Sequence, residues 1–172
     1  MILKQLLDED FVNYKKPSMF IGFPFCTFKC EKECGEHCCQ NSALAQASNI
    51  EIDSTNIINR YLHNPITSAL TIGGLEPFDT FNELLKLIEL FRERTSDDIV
   101  IYTGYTEEEL ENGYFFYGNY NSNTRRDAYK ILKQYPNIII KFGRFIPNQE
   151  PHYDEVLGVK LASNNQYARR IS

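Results

Sequence analysis

The sequence predicts an α/β protein in which parallel strands alternate with helices. Four short runs are rich in β-branched or aromatic residues and are each closed by glycine or proline, which is typical of buried parallel strands. Helical patterns lie between these runs. The connections are too long for hairpins, which favours βαβ units arranged as an open sheet or as a partial barrel.

The four predicted strands are segments of four or five residues with almost no polar positions. They are Met19 to Phe23 (MFIGF), Ala69 to Ile72 (ALTI), Ile99 to Thr103 (IVIYT) and Ile138 to Phe142 (IIIKF). Because ligands gather at the carboxyl ends of such strands, we expect the residues that follow each run to lie on one rim.

The clearest helix is predicted in DTFNELLKLIELFRER, with Asp79 as its N-cap. Its apolar residues recur at helical spacing, namely at Phe81, Leu84, Leu85, Ile88 and Phe91. Thr106 and Glu109 form a capping-box pattern that predicts a short helix. Two further helices are predicted: one capped by Asp53 or Ser54 and running through Tyr61, and one in TRRDAYKILKQY, before Pro136.

Composition excludes several classes of protein. The 172 residues include 18 basic and 23 acidic side chains, a net charge of -5, and no basic cluster interleaved with aromatics, so we expect no nucleic-acid partner. Acidic residues interrupt the N-terminal segment, and no apolar run approaches the roughly 18 residues of a membrane span. We therefore expect a soluble cytoplasmic protein.

One compact domain over residues 1–172 is the expected organisation, because the sequence has no internal repeat and no long linker. One tract fits no predicted element. The segment NGYFFYGNYNSN, from Asn112 to Asn123, is rich in tyrosine and asparagine, and we interpret it as an ordered surface insertion.

All five cysteines lie in one loop, residues 24–42, directly after the first predicted strand; they are Cys26, Cys30, Cys34, Cys38 and Cys39. In a reducing compartment, such a dense cluster indicates metal or redox chemistry rather than a disulfide framework. The odd number of cysteines agrees with this interpretation.

Two kinds of metal centre remain open from the cysteine pattern. A structural zinc site would have to be built wholly from this loop, with Cys26, Cys30, Cys34 and either Cys38 or Cys39, because only His37 lies nearby. Such a protein would be a non-enzymatic zinc-binding adaptor. An iron-sulfur cluster is the better match, because a long loop leaving a strand end can wrap a bulky inorganic core.

Four segments occur in one order along the chain: Cys26-x3-Cys30 with the later Cys39-Gln40-Asn41, then LTIGGLEPF, then VIYTGYTEEEL, then GVKLASNNQYARRI. Together they resemble the radical S-adenosylmethionine enzymes, and more closely the activating proteins of anaerobic ribonucleotide reductase. The resemblance covers about residues 19 to 171. It implies a partial, open TIM-like βα barrel of parallel strands with outer helices.

The cysteine spacing departs from the pattern of that family. The family has C-x3-C-x2-C, whereas Cys39 as third ligand gives C-x3-C-x8-C, and Cys38 or Cys34 are the alternatives. We favour Cys39 because the Gln-Asn that follows it resembles the family. The resemblance thus implies that Cys26, Cys30 and Cys39 bind three irons of a 4Fe-4S cluster. The two remaining cysteines are expected to be small, partly buried thiols.

The resemblance also implies a set of residues that bind S-adenosylmethionine, which chelates the fourth iron. Glu76 is the candidate acceptor for the methionine ammonium, with a solvated carboxylate as the ordinary alternative. Ordinary core packing and an ordinary loop remain open for Tyr105 and for the C-terminal amides. The implied cofactor-binding residues are Gly73, Gly74, Glu76, Thr103, Gly104, Tyr105, Asn164 and Gln166.

The implied activity is that of a radical oxidoreductase. One electron cleaves S-adenosylmethionine into methionine and a 5′-deoxyadenosyl radical, which takes a hydrogen from a glycine of the large reductase subunit. Besides that subunit, a reductant such as flavodoxin is the implied partner, and no catalytic side chain beyond cluster and cofactor is expected. Another glycyl radical enzyme, a peptide or a small molecule is the alternative target.

Overall fold

The computed structural model describes residues 1–112 and 122–172, which form ten strands, six α-helices and one 3-10 turn. The strands are β1 (Ile2–Leu3), β2 (Gln5–Asp10), β3 (Ser18–Phe23), β4 (Ile50–Glu51), β5 (Ala69–Gly74), β6 (Asp98–Tyr102), β7 (Ile138–Phe142), β8 (His152–Asp154), β9 (Val159–Leu161) and β10 (Tyr167–Arg170). The helices are α1 (Lys29–Cys34), α2 (Ser42–Gln46), α3 (Ser54–His63), α4 (Phe81–Arg92), α5 (Glu107–Asn112) and α6 (Ser122–Leu132), and the 3-10 turn is Pro77–Thr80.

A six-stranded sheet organises the fold, with the strand order β10-β7-β6-β5-β3-β2. Its four central strands, β3, β5, β6 and β7, are parallel, and they are the four strands that the sequence predicts. Helical connections join them, as the βαβ prediction requires. Two small antiparallel pairs, β1 with β4 and β8 with β9, lie outside this sheet.

The predicted partial TIM-like barrel is wrong. The sheet is open and mixed, because β2 and β10 are its two edges and both run antiparallel to their neighbours. A barrel closes only when its strands pair on both sides around a common axis. The face that a barrel would enclose instead carries a second apolar cluster, to which Tyr14 and Leu157 contribute from outside the sheet.

One face of the sheet is buried under helices. Because side chains alternate along a strand, residues in register on neighbouring strands share a face. An isoleucine ladder crosses the four parallel strands in this way, and α3, α4 and α6 pack on it. The ladder consists of Ile21, Ile72, Ile101 and Ile140, each 0% exposed.

The opposite face is covered only in part. Ala69, Val100 and Ile139 pack there against Tyr14 and against the segment around β8 and β9. This cover lies over the beginning and middle of the parallel strands. Among the described residues, a cavity opens at the carboxyl ends of the strands on this face, and that position defines the functional site.

The helix ends confirm two of the predicted caps and correct a third. Thr106 and Glu109 make both hydrogen bonds of a capping box, with the Thr106 amide 2.8 Å from Glu109 Oε2. Asp53 caps α3 by accepting the Thr55 amide at 2.8 Å. Asp79 does not cap α4, which begins at Phe81; it lies in the preceding 3-10 turn.

Two further predictions concern membrane-spanning helices and the tyrosine- and asparagine-rich tract. In the part of the chain that the structure describes, no helix combines the length and apolarity that crossing a membrane requires. Within the tyrosine- and asparagine-rich tract, residues 113–121 lie outside the described residues, so the surface insertion remains a prediction.

Replacing Leu87 by alanine is expected to lower the free energy of unfolding by about 2–5 kcal/mol. Leu87 is 0% exposed on the face of α4 that packs against the sheet, so its loss leaves a cavity. Urea unfolding followed by circular dichroism measures the change. Leu62→Ala is the control, because Leu62 is 37% exposed; a loss there equal to that of Leu87→Ala would contradict the assigned core.

Candidate functional site

A cavity of about 320 Å³ opens at the carboxyl ends of the four parallel strands. Every one of these ends contributes to its wall, as expected for an α/β sheet. The contributions are Cys26 after β3, Gly73 and Gly74 at the end of β5, Thr103 and Gly104 after β6, and Gly143 and Arg144 after β7.

The five cysteines of the loop separate into two groups. Cys26, Cys30 and Cys39 are free thiols of intermediate exposure, and all three line the cavity. Cys34 and Cys38 are joined in a disulfide and do not line it. The structure therefore brings together the three cysteines favoured as ligands and pairs the two alternatives with each other.

The expectation for the two leftover cysteines is wrong, since they form a disulfide rather than two thiols. Cys34 ends α1, and the chain turns back at Gly35, which adopts a φ of 74°. This left-handed turn returns the chain so that Cys38 faces Cys34. The described residues thus contain one disulfide in a loop for which the sequence indicates metal or redox chemistry alone.

The cysteine loop is fastened to the end of β5 by its backbone. The Glu76 amide donates to the Phe25 carbonyl at 2.9 Å, which continues the pairing of β3 with β5 beyond their last residues. At the other end of the loop, the Asn41 side-chain amide donates to the Gly74 carbonyl at 2.6 Å. Both ends of the loop are therefore held against the Gly-Gly turn.

Gly74 shows why glycine is needed at this turn. Its φ is 88°, in the left-handed region, and a Cβ there would lie 2.7 Å from Gly22 Cα. The backbone clash excludes a residue with a Cβ here, and the left-handed φ would add strain for one. Gly73 precedes it in ordinary extended backbone and lines the cavity, where a Cβ would press on the Tyr102 side chain at 3.3 Å.

Glu76 is a buried carboxylate on the cavity wall. It is 4% exposed and accepts hydrogen bonds from the Thr103 hydroxyl and the Gly104 amide, both at 2.8 Å, and from the Phe78 amide at 3.1 Å. The alternative of a solvated carboxylate is therefore wrong. Burial, reinforced by the nearby charge of Asp79, raises the pKa of Glu76 to about 7.

The predicted residues after β6 surround this carboxylate. Thr103 and Gly104 bind it directly, and Tyr105 donates its backbone amide to the Thr103 hydroxyl at 3.1 Å. Tyr105 lines the cavity and also belongs to the main apolar cluster, being 7% exposed. Its ring therefore serves core packing and the cavity wall together.

The two C-terminal amides occupy different places. Gln166 is 5% exposed, lines the cavity, and donates to the Gly143 carbonyl at 3.2 Å while accepting the Ala162 and Ser163 amides. Asn164 is exposed and does not line the cavity. The structure thus brings Gln166, but not Asn164, to the other predicted residues.

Lys141 is a cavity residue that the sequence reasoning missed. It lies in β7, is 7% exposed, and donates from Nζ to the Gly143 carbonyl at 2.6 Å. Burial lowers its pKa to about 7, although the charge of Glu76 acts in the opposite direction. A lysine within the apolar run IIIKF is the sequence signal that could have revealed it.

Lys29 also escaped the sequence reasoning, whereas Arg144 follows the fourth predicted strand and lies on the expected rim. Both line the cavity, and both pair with Glu109, the residue that closes the capping box of α5. Arg144 extends a second contact to Glu33 of α1 at 3.2 Å. These pairs fasten α1, which carries Cys30, to the strand end after β7.

Comparison with known proteins identifies the class of cofactor. The family model described as 4Fe-4S single cluster domain matches residues 20–166, which is most of the chain. The chain belongs to this family. No curated protein and no solved structure gave a match. As a 4Fe-4S single cluster domain, the protein binds an iron-sulfur cluster.

The thiols on the cavity wall fit such a cluster. The irons of a cluster lie apart, so its thiolates need to surround a volume rather than a point. In residues 1–112 and 122–172, no three His, Cys, Asp or Glu side chains are arranged to hold a single metal ion. The three free cysteines all line the same cavity, so the residues present fit a cluster held by several thiolates.

Burial also shapes the chemistry of the thiols. It raises the pKa of Cys26, and the negative charge of Glu76 acts in the same direction. Burial raises the pKa of Cys30 as well, together with the neighbouring Cys39. Thiolates at these positions therefore require a cationic partner, and iron is one that removes the proton on binding.

Lys141→Met is expected to stabilise the apoprotein most near pH 7. Between about pH 7 and the ordinary lysine value of 10.5, the unfolded chain binds a proton that the folded protein excludes, so wild-type stability rises with pH. Each pKa unit corresponds to about 1.4 kcal/mol, so the advantage of the variant amounts to several kcal/mol near pH 7. Urea unfolding from pH 7 to 10 tests this, and parallel curves for variant and wild type would contradict it.

Proposed function

We propose that the protein is a radical enzyme that uses a 4Fe-4S cluster and S-adenosylmethionine to place a glycyl radical on anaerobic ribonucleotide reductase. One observation carries the proposal: the three free cysteines and seven of the eight predicted cofactor-binding residues line one cavity, in a chain of a 4Fe-4S family. The seven are Gly73, Gly74, Glu76, Thr103, Gly104, Tyr105 and Gln166.

In this proposal Cys26, Cys30 and Cys39 hold the cluster. When bound, the cluster and S-adenosylmethionine supply the one-electron scission of a carbon-sulfur bond, which yields methionine and a 5′-deoxyadenosyl radical. The protein positions the cluster and the cofactor and excludes water from them. Its cysteine loop leaves β3 directly beside the Gly-Gly turn of β5, so the thiols and the cofactor pocket share one wall.

Glu76 binds the methionine ammonium in this proposal. An unsatisfied acceptor on a buried carboxylate is a strong site for a cation, because the interaction is charge-assisted and little water competes. Oε1 accepts two hydrogen bonds, whereas Oε2 accepts one within the described residues, from the Gly104 amide. A bound ammonium would also favour the ionised form of a carboxyl whose pKa burial raises to about 7.

Tyr105 and Gln166 also line the cavity. Thr103, Gly104 and Tyr105 line the cavity, and the resemblance implies that they contact the ribose and adenine. The side-chain amide of Gln166 is held by three hydrogen bonds, so its orientation is fixed before any ligand binds. Asn164 has no part in this arrangement, and its implied role remains a prediction.

The proposal assigns the protein to the cytoplasm, where a reductant such as flavodoxin can supply the electron and the large reductase subunit is the macromolecular substrate. The position of the cavity supports a macromolecular substrate. Among the described residues, the cavity opens at the carboxyl ends of the strands, where a polypeptide loop could enter. Another glycyl radical enzyme, a peptide or a small molecule is compatible with the same cavity and is distinguished by the assay below.

Cys26→Ser, Cys30→Ser and Cys39→Ser are each expected to lose most of the iron bound after anoxic reconstitution. Each removes one of three thiolates from a site that has no spare one in the cavity wall. Iron analysis and visible absorption measure the loss against the four irons per chain of the wild type.

Cys34→Ser and Cys38→Ser are the matched controls for these substitutions. They lie in the same loop but in the disulfide, so they are expected to keep the cluster. Full iron content in Cys39→Ser, with loss in Cys38→Ser, would show that the third ligand is assigned to the wrong cysteine.

Reconstituted protein reduced with dithionite is expected to convert S-adenosylmethionine to 5′-deoxyadenosine and methionine. Mixing it with the large subunit of anaerobic ribonucleotide reductase is then expected to give the doublet of a glycyl radical in electron paramagnetic resonance. Chromatography and spectroscopy on the same sample measure the two products.

Two results of this experiment separate the possibilities. Deoxyadenosine without the radical doublet would retain the chemistry and exclude this target, whereas neither product would overturn the proposed function. Glu76→Gln is expected to weaken S-adenosylmethionine binding roughly 10- to 100-fold, the value of a charge-assisted hydrogen bond. Glu83→Gln, at an exposed position on α4, is the control and is expected to bind as wild type does.

A further inference from the structure

The 3-10 turn after β5 holds a carboxylate that none of the roles above uses. The Asp79 side chain is 0% exposed. Its Oδ2 accepts the Thr27 amide at 2.9 Å, while its Oδ1 accepts the Tyr105 hydroxyl at 2.7 Å and the Arg125 guanidinium at 2.6 Å. One buried group thus connects the cysteine loop, the cavity wall and α6.

The first of these bonds reaches the cysteine loop between two of the proposed ligands. Thr27 follows Cys26, and Phe28 adopts a left-handed φ of 52°, which is an unfavourable conformation for a residue other than glycine. Phe28 in turn donates its amide to Cys26 Sγ at 3.2 Å. Backbone of this kind persists only where its surroundings hold it, and the Asp79 bond to Thr27 is such a restraint.

The hydrogen bonds from Tyr105 and Arg125 determine how the charge of Asp79 is compensated. Arg125 pairs with Asp79 while its guanidinium lies 5.0 Å from the centroid of the Tyr105 ring, and its side chain is 19% exposed. A buried carboxylate that loses its cation becomes an uncompensated charge in a medium of low dielectric constant. Arg125 therefore compensates the negative charge of Asp79, and removal of Arg125 would leave that charge uncompensated.

That charge reaches the proposed ligand Cys26. The Asp79 carboxylate accepts the amide of Thr27, the residue directly after Cys26, at 2.9 Å, so its charge lies beside the cluster-binding loop. Adding an electron to an iron-sulfur cluster responds to the same field, because nearby negative charge disfavours reduction.

We propose that Asp79 is a positioning residue that fixes the cluster-binding loop at Thr27, and that the Asp79–Arg125 pair sets the reduction potential of the cluster. The inference rests on the ligand assignment of the proposed function, since it requires a cluster at Cys26. It does not depend on S-adenosylmethionine or on the radical target. Asp79 does not line the cavity, so in this proposal it acts through the loop and its charge.

Two substitutions of opposite sign test the proposal on reconstituted protein. Asp79→Asn removes negative charge with little change in shape, so the midpoint potential is expected to become more positive. Arg125→Gln removes the compensating cation while keeping a hydrogen-bond donor, so the potential is expected to become more negative. Potentiometric titration with dithionite, followed by visible absorption and electron paramagnetic resonance, measures both shifts.

Asp98→Asn is the matched control. Asp98 is also buried, at 5% exposure, and also binds a tyrosine hydroxyl and an arginine, those of Tyr14 and Arg170. It lies at the amino end of β6, whereas the cavity lies at the carboxyl ends of the strands. Its variant is expected to lower stability and to leave the potential of the cluster unchanged.

The possible results separate this inference from the proposed function. Shifts of the same sign in Asp79→Asn and Arg125→Gln, unchanged potentials in both, or an equal shift in Asp98→Asn would overturn the inference alone. If Asp79→Asn holds no cluster, Arg125→Gln decides by itself, and an unchanged potential there counts against the proposal. A cluster that persists without the Cys26 thiolate would overturn the ligand assignment and this inference together.

Discussion

The close parallel pairing of β3 with β5 is the constraint on which the rest of the site depends. Gly22 opposes Gly73 and Phe23 opposes Gly74, and the backbones are so close there that a Cβ at Gly74 would lie 2.7 Å from Gly22 Cα. The cysteine loop leaves one of these strands and the Gly-Gly turn leaves the other. Because the two strands are in register, the thiols and the turn are delivered to the same wall of one cavity.

Burial gives this cavity its chemical character. The acidic Glu76 and the basic Lys141 both lie in its wall. Burial raises the pKa of Glu76 to about 7 and lowers the pKa of Lys141 to about 7. The same low dielectric constant keeps the thiols of Cys26 and Cys30 protonated until a cation binds. A buried charge in such a site is stabilised when a group of opposite charge binds beside it.

The local signals in the sequence were reliable where short-range physics decides the result. The capping box at Thr106 and the cap at Asp53 formed as predicted, because the residues involved are only two or three positions apart. The four apolar runs became the four parallel strands for a similar reason. Asp79 shows the limit: its pattern suits a helix cap, but partners 26, 46 and 52 residues away in sequence bind its carboxylate instead.

By itself, the sequence determined the parallel βαβ core and the gathering of cysteines and glycines at strand ends. These follow from apolar patterns, turn residues and spacing, all of which are local properties. Only the tertiary structure decided that the sheet stays open with antiparallel edges, that Cys34 pairs with Cys38, and that Lys141 enters the cavity. The sheet edges and the place of Lys141 depend on which distant segments meet, and such contacts leave no fixed spacing in a single sequence. The Cys34–Cys38 pair is close in sequence, but it depends on the left-handed backbone at Gly35, which the cysteine spacing alone does not reveal.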